Sequence, residues 1–202
     1  MLQTQTVVPE LMELLKKIMS EKLFSEFNLV GGTALALQTG HRNSIDIDLF
    51  GNSDINADKF IEKLSEFGEV KVAQSTKNIL ITKINGVKVD FVNYKYPLLT
   101  ECLLIENIRM LSTVDIAAMK LNAIAGRGSK KDFVDLYFLL NEFSLDEILS
   151  FYDRKYNDGS IFMVQKSLTY FEDADVQQQP IMFLDFNWET CKQKIIAEVL
   201  KL

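Results

Sequence analysis

The chain has 202 residues, a length that allows one large domain or two compact halves. Hydrophobic residues make up 48% of it and only 9 Gly and 3 Pro are present, so the composition excludes disordered, collagen-like and coiled-coil proteins. A formal net charge of -6 argues against a protein that coats nucleic acid with its whole surface, because that function needs a broad cationic field. A local basic pocket remains compatible with this charge.

The residues that could bind metals through sulfur or imidazole are few. Cys102 and Cys191 are the only cysteines and lie far apart, which excludes a disulfide framework and a thiolate zinc site and predicts two buried thiols. His41 is the single histidine, so histidine metal clusters are excluded as well. The N-terminus lacks the features of a signal peptide and no apolar run could span a bilayer, so we expect a cytoplasmic protein without a membrane partner.

The first half of the chain mixes helical and strand-like patterns. A helical period begins at Pro9 and extends to about residue 27, and a short apolar run leads into Gly31-Gly32, followed by a helix over residues 33–38. Residues 45–50 alternate strictly and predict a strand, and residues 58–67 look helical. Residues 69–73 form a weak strand candidate. Asn85-Gly86 separates two β-rich runs, residues 79–84 and 87–92, and predicts a hairpin.

The second half has mainly helical patterning. Ser112 and Ser129 each stand three residues before an aspartate, which predicts a capping box at the start of each of two helices. We therefore expect an α/β half over residues 1–105 and a mainly helical region over residues 106–202.

Three aspartates on predicted strands are candidate metal ligands. Asp46 and Asp48 project from one face of their strand, and Asp90 supplies a third carboxylate if its strand lies beside theirs. Carboxylates without His or Cys form a hard oxygen site that suits Mg²⁺ or Mn²⁺ together with phosphate oxygens. The alternative is that Asp46 and Asp48 only occupy the solvent face of an antiparallel strand.

A glycine pair precedes these acids. Gly31-Gly32, between a short strand and a helix, allows a ligand to approach the backbone closely and leaves helix N-terminal amides available for a phosphate. Thr33 adds a hydroxyl at the same terminus. A purely structural turn is the alternative, since no Walker or GxGxxG motif is present.

A second block of charged residues lies in the helical half. Lys120 and Arg127 are seven residues apart on one helical face, and residues 120–131 contain four cations and no acid, which predicts a local anion site. Lys130 is expected to be solvated. Asp132 has two interpretations, a capping carboxylate or a catalytic group, and it shares a helical face with Asp135.

Two segments together resemble a known enzyme group. Residues 27–50, FNLVGGTALALQTGHRNSIDIDLF, resemble the opening motif of DNA polymerase beta-like nucleotidyltransferases, and VKVDFV places Asp90 at the position of the third acid. The Gly-Gly-Thr-Ala-Leu variant with Arg42, Ser44 and DIDLF is similar to the AbiEii/AbiGii toxin branch. Residues 120–140, KLNAIAGRGSKKDFVDLYFLL, are similar to the block that supplies a lysine and an aspartate to the active site of that family.

The resemblance implies an α+β fold, with a nucleotidyltransferase-type mixed sheet flanked by helices and a helical C-terminal half that completes the active-site cleft. It implies transfer of an NMP from an NTP to an acceptor hydroxyl, with Mg²⁺ or Mn²⁺, in a toxin that has an antitoxin partner and RNA such as tRNA as acceptor. The implied metal ligands are Asp46, Asp48 and Asp90. The implied catalytic residues are these three aspartates with Lys120 and Asp132, and the implied nucleotide-binding residues are Gly31, Gly32, Thr33, Arg42, Ser44 and Arg127.

Three alternatives stay open at this point. The acceptor could be a protein hydroxyl rather than RNA. The chain could be a catalytically silent, partner-binding relative of the enzymes, although three clustered acids are costly to retain without a role. The motif match could also be accidental, in a structural α+β protein.

Overall fold

The computed structural model describes residues 1–202, which form seven strands and nine α-helices, with short 3-10 turns at Thr4–Thr6 and Lys22–Phe24. The strands are β1 (Asn28–Leu29), β2 (Asp46–Gly51), β3 (Val70–Ser75), β4 (Ile79–Ile84), β5 (Val87–Asn93), β6 (Leu103–Ile105) and β7 (Ile108–Met110). The helices are α1 (Pro9–Ser20), α2 (Gly31–Thr39), α3 (Ala57–Ser65), α4 (Thr113–Gly126), α5 (Lys130–Leu139), α6 (Leu145–Lys155), α7 (Ile161–Ser167), α8 (Glu172–Asp175) and α9 (Trp188–Val199). None of the helices combines the length and apolar character needed to span a lipid bilayer.

All seven strands belong to one mixed sheet in the order β3-β4-β5-β2-β1-β7-β6. Strand β2 runs parallel to β5 and antiparallel to β1, and β1 in turn runs parallel to β7. The predicted α+β class with a mixed sheet is confirmed.

The chain divides into two compact units. The first comprises Met1–Lys95 and Cys102–Leu111, and holds the sheet with α1 to α3. The second comprises Tyr96–Glu101 and Ser112–Leu202, and holds α4 to α9. The boundary expected near residue 105 falls between β6 and β7, a hairpin that the sequence pattern did not indicate.

An aromatic cluster fills the core of the first unit. The ring of Phe91 on β5 lies 5.0 Å from that of Phe24, 5.4 Å from Phe27 and 5.2 Å from Phe60, measured between centroids. Ile47 and other inward residues of β2 and β5 are buried beside it. The inward positions of both strands therefore serve as core, and the alternate positions face the other side.

Two turns follow their predicted chemistry. Asn85 and Gly86 have φ angles of 48° and 89°, the left-handed values that a two-residue hairpin requires. Gly40 ends α2 with a φ of 74°, as expected for a helix C-terminal glycine.

A buried ion pair organises the second unit. Lys155 Nζ lies 2.7 Å from Asp115 Oδ1, and both side chains are fully buried. Asp115 also accepts from the backbone N–H groups of Leu99 and Thr100, and the Lys155 ammonium donates to the Pro97 carbonyl. This network fixes residues 97–100 to α4 and α6.

The capping predictions are only partly correct. Ser112 accepts from the backbone N–H of Asp115 as predicted, but the Asp115 carboxylate is used in the buried ion pair instead of capping. Ser129 makes no side-chain cap. The reciprocal capping box of this unit lies elsewhere, between Ser144 and Glu147.

The two thiols differ in environment. Cys191 is buried, and burial raises the pKa of its thiol to about 12. Cys102 is only partly buried, so the prediction of two buried thiols is wrong for this residue.

Replacing Phe91 tests the aromatic core. Phe91→Ala should lower the free energy of unfolding by about 3–5 kcal/mol, because it removes a fully buried ring and leaves a cavity. Urea unfolding measures the change. Val72→Ala, at an exposed position on edge strand β3, should cost well under that amount, and equal losses in the two variants would contradict this account of the core.

Candidate active site

The register of two strands brings the predicted acids together in the first unit. In the parallel pair β2 and β5, Asp48 lies opposite Asp90 and Asp46 lies opposite Lys88. Residues opposite each other share a face, on strands about 4.8 Å apart. The three carboxylates and the Lys88 ammonium therefore lie on the face opposite the phenylalanine core, as the alternation predicts.

The donor set suits a divalent cation. Asp90 Oδ1 is buried and has no hydrogen-bond partner, so one carboxylate oxygen is available for a ligand that the chain itself does not supply. Carboxylate oxygens are the ligands that Mg²⁺ and Mn²⁺ prefer. No group of three or more His, Cys, Asp or Glu side chains is closed around a common metal position, however.

Lys88 occupies part of this acidic face. Its Nζ lies 2.5 Å from Asp90 Oδ2. Partial burial opposes the charged ammonium, but the hydrogen bond and charge of Asp90, with the charges of Asp48 and Asp46, outweigh it and raise the pKa of Lys88 above its ordinary value. Because side chains alternate along a strand, Lys88 projects from the same face as Asp90. The β2–β5 register also sets Lys88 opposite Asp46.

Gly31 begins α2 directly beside Asp48. Its φ of 68° lies in the left-handed region, and a Cβ at this position would lie 2.9 Å from Asp48 Oδ2. The backbone N–H of Val30 donates to the Asp48 carbonyl at 2.9 Å, which fixes the start of α2 against β2. Both the conformation and the contact require glycine here.

The other predicted phosphate-facing residues are held inside the first unit. The Thr33 and Ser44 hydroxyl oxygens lie 2.8 Å apart, and the Thr33 hydroxyl also donates to the Asp46 carbonyl. Arg42 is buried, donates to the Asn43 carbonyl at 2.7 Å, and leaves no room for a Cβ at Gly32. These residues brace the loop between α2 and β2, and their predicted contact with phosphate stays a prediction.

In the second unit, Lys120 forms a buried charge network. Its Nζ lies 3.1 Å from Asp132 Oδ1 and 2.6 Å from Asp135 Oδ2. Arg127 binds the Asp132 carboxylate through two nitrogens, at 2.8 and 2.9 Å, although 60% of the Arg127 side chain is exposed. Sequence spacing predicted that Lys120 and Arg127 share a face, and both reach the same carboxylate.

Asp132 is the centre of that network. Burial disfavours its charged form, but the charge of Lys120 and the hydrogen bonds of Arg127 and Ser129 outweigh burial and lower the pKa of Asp132 to about 2. Ser129 Oγ donates to Asp132 Oδ2 at 2.5 Å. The serine hydroxyl therefore binds the aspartate side chain, which explains why it does not cap α5.

Most cations of the predicted anion site over residues 120–131 contact other side chains of the same unit. Lys120 and Arg127 neutralise aspartates, and Lys130, predicted to be solvated, is buried with its Nζ 5.0 Å from the Trp188 ring centroid. The prediction for Lys130 is wrong because its aromatic partner lies 58 residues away along the chain. Lys131 is exposed, as is much of the Arg127 side chain.

Comparison with protein families identifies the group to which these features belong. Residues 13–196 match the family described as nucleotidyl transferase AbiEii toxin of type IV toxin–antitoxin systems. The chain belongs to this family. It is therefore a nucleotidyltransferase, and its family is one of toxins.

One curated relative and several solved structures are similar to this AbiEii family member. An uncharacterized protein of Aquifex aeolicus (strain VF5) is 40% identical over 177 residues, covering 80% of this chain and 82% of the relative. A Helicobacter pylori nucleotidyltransferase structure has a TM-score of 0.61 at 17% identity, covering 95% of this chain and 91% of that one. The structure of the toxin MenT4 of Mycobacterium tuberculosis H37Rv has a TM-score of 0.58 at 14% identity, covering 96% of this chain and 83% of MenT4.

The same fold occurs in an antibiotic-resistance factor. ANT(2'')-Ia, in complex with adenylyl-2''-tobramycin, has a TM-score of 0.54 at 14% identity and covers 73% of this chain and 95% of its own. At these identities, the solved structures establish the shared fold, and the family match establishes the enzyme class.

Gly31→Ala tests the close approach of α2 to Asp48. The left-handed φ should cost about 1–2 kcal/mol of stability for an alanine, and the added methyl group should displace the Asp48 carboxylate and reduce nucleotidyl transfer about tenfold or more. Urea unfolding and a transfer assay measure the two effects. Gly126→Ala is the control, because a Cβ there meets nothing within 4 Å; unchanged transfer in Gly31→Ala would contradict the assignment.

The low pKa of Asp132 predicts a pH-dependent stability. A carboxyl with a folded pKa of about 2, against 3.8 for the ordinary value, stabilises the fold above the higher value and loses this contribution as the pH falls through the lower one. The stability difference between wild type and Asp132→Asn should therefore shrink by about 2 kcal/mol between about pH 5 and pH 2. Urea unfolding at each pH measures it, and a constant difference would refute the charge network.

Proposed function

We propose that this AbiEii family member transfers an NMP from an NTP to an acceptor hydroxyl at the acidic face of β2 and β5, with Mg²⁺ or Mn²⁺. The observation that carries the proposal is the parallel register of Asp48 opposite Asp90, on the same face as Asp46. Gly31 lies directly beside Asp48 and the buried Asp90 Oδ1 lacks a protein partner, and both features support a ligand at this position.

The reaction joins the acceptor oxygen to the α-phosphorus and breaks the bond from that phosphorus to pyrophosphate. A bound divalent cation would neutralise the triphosphate oxygens and polarise the reacting phosphoryl group. Asp46, Asp48 and Asp90 would hold it. We assign to the Asp90 carboxylate a second role, accepting the proton of the attacking hydroxyl. The N-terminal residues of α2, with Arg42 and Ser44 behind them, would orient the phosphates.

The resemblance adds Lys120 and Asp132 to the proposal. The Lys120 ammonium is the cation that we assign to the charge developing on the phosphates in the transition state. Asp132 and Asp135 act as positioning residues, because both bind Lys120 Nζ within 3.1 Å. Arg127 fixes Asp132 in turn and exposes its remaining surface for a nucleotide.

We propose RNA, such as tRNA, as the acceptor, and action in the cytoplasm as the toxin of an antitoxin partner. Membership of a type IV toxin family supports this assignment. The cations of residues 120–131 contribute little basic surface to it, so the RNA would be recognised mainly elsewhere on the protein.

The acceptor can be tested directly. The protein is incubated with each α-labelled NTP and Mg²⁺ in separate reactions with total RNA, a soluble protein fraction or tobramycin, the last because of the adduct in ANT(2'')-Ia. Label in RNA is the expected result. Label in protein or tobramycin would show that the acceptor is not RNA, but the proposed transfer reaction would stand. Binding of NTP without transfer to any acceptor would favour the catalytically silent alternative.

Two substitutions test the assigned residues. Asp48→Asn should abolish transfer, and Lys120→Ala should reduce the rate at saturating NTP and Mg²⁺ about a hundredfold or more, since a cation in a water-poor site is worth a few kcal/mol in the transition state. Lys131→Ala, which changes an exposed neighbour, should retain wild-type activity. Melting curves confirm folding, and a wild-type rate for folded Lys120→Ala would remove Lys120 from the reaction.

A further inference from the structure

Lys88 lies among the three carboxylates by virtue of the sheet register. It precedes Asp90 by two residues on β5, so both side chains project from the same face. It also lies opposite Asp46 on β2, and its Nζ binds Asp90 Oδ2 at 2.5 Å. The ammonium thus lies at the junction of the acids that the proposed function assigns to a metal.

The local charge makes a cation necessary at this position. Asp46, Asp48 and Asp90 bring three negative charges to one face, and like charges this close are unfavourable without a compensating cation. Lys88 is the only Lys or Arg in β2 and β5. On β4, Lys83 lies opposite Lys88 but is exposed. Within these strands, Lys88 is therefore the cation that binds a carboxylate of the acidic face directly.

The Lys88 side chain can leave this position. It is 38% exposed and has a flexible four-carbon stem, whereas Asp90 is only 14% exposed and is fixed on a central strand of the sheet. A divalent cation at the unpartnered Asp90 Oδ1 would share this carboxylate with the ammonium bound to Oδ2, and the two cations would repel each other. Binding of the metal therefore favours movement of Lys88 away from Asp90 Oδ2.

We propose that Lys88 is a positioning residue that serves as the resident counter-ion of Asp90 and competes with the divalent cation for this carboxylate. The inference rests on the proposed function, because it takes Asp46, Asp48 and Asp90 as the metal ligands. Lys88 pairs with the Asp90 carboxylate when no metal is present and weakens the binding of a divalent cation through charge repulsion. Removal of its charge should strengthen metal binding and, without metal, destabilise the sheet.

The experiment measures Mn²⁺ binding and thermal melting of the full chain, without nucleotide. Free Mn²⁺ is determined by electron paramagnetic resonance for wild type, Lys88→Met, Lys88→Gln and Lys88→Arg, with Lys83→Met as the matched control on the facing strand. The two neutral variants should bind Mn²⁺ about tenfold more tightly than wild type. They should also melt below wild type in chelator and gain more from Mn²⁺.

The charge-preserving and control variants sharpen the result. Lys88→Arg and Lys83→Met should bind Mn²⁺ as wild type does, a pattern that general loss of sheet stability would not produce. Lys88→Gln retains a polar side chain, and so tests the same point if Lys88→Met does not fold. Adding Asp48→Asn to either neutral variant should abolish the gained affinity and thereby locate the bound Mn²⁺.

Two outcomes separate this inference from the function on which it rests. Equal Mn²⁺ affinity in wild type and the neutral variants, lost in both on Asp48→Asn, would overturn the role of Lys88 and leave the proposed metal site standing. Mn²⁺ binding that is absent from every variant, or unaffected by Asp48→Asn, would overturn both.

Discussion

The parallel pairing of β2 with β5 is the constraint on which the site and the core both depend. Its register sets Asp48 opposite Asp90, and the same register buries Ile47 and Leu49 beside Val89 and Phe91. A slip of one residue would turn the carboxylates into the core and the apolar side chains into solvent, so the hydrophobic free energy of the core enforces the alignment of the acids. The phenylalanine cluster therefore supports the proposed metal site indirectly, because its burial disfavours the slipped register.

Each unit surrounds a lysine with carboxylates, but the two arrangements differ in how firmly the ammonium is held. Lys88 is partly exposed and has one short bond to Asp90, so it is able to exchange with another cation. Lys120 is almost fully buried and is bound to both Asp132 and Asp135, so its position is fixed by the fold. One lysine is suited to be displaced and the other to stay in place, which matches the separate roles proposed for them.

Sequence patterns predicted those features that depend on neighbouring residues. Alternation in β2 and β5 placed the acids on one face, and Asn85-Gly86 and Gly40 marked a turn and a helix end. The features that were missed depend on distant partners: Lys130 packs on Trp188, and β6 and β7 complete the sheet through the pairing of Met110 with Leu29. Ser129 was misassigned for a different reason, because Asp132 offers its hydroxyl a charged acceptor that sequence spacing alone does not distinguish from a cap.

The order in which the chain passes through its two units has a practical consequence. Residues 96–101 belong to the helical unit, after which residues 102–111 return to the sheet, so neither unit is a continuous stretch of sequence. A truncation after residue 105 would discard β7 and leave Leu29 without its parallel partner, while a fragment starting at residue 106 would lack the loop whose amides satisfy the buried Asp115. No single cut yields both units intact, so the gene cannot be divided into two independently folding halves, and a swap of the helical unit between family members requires two junctions rather than one.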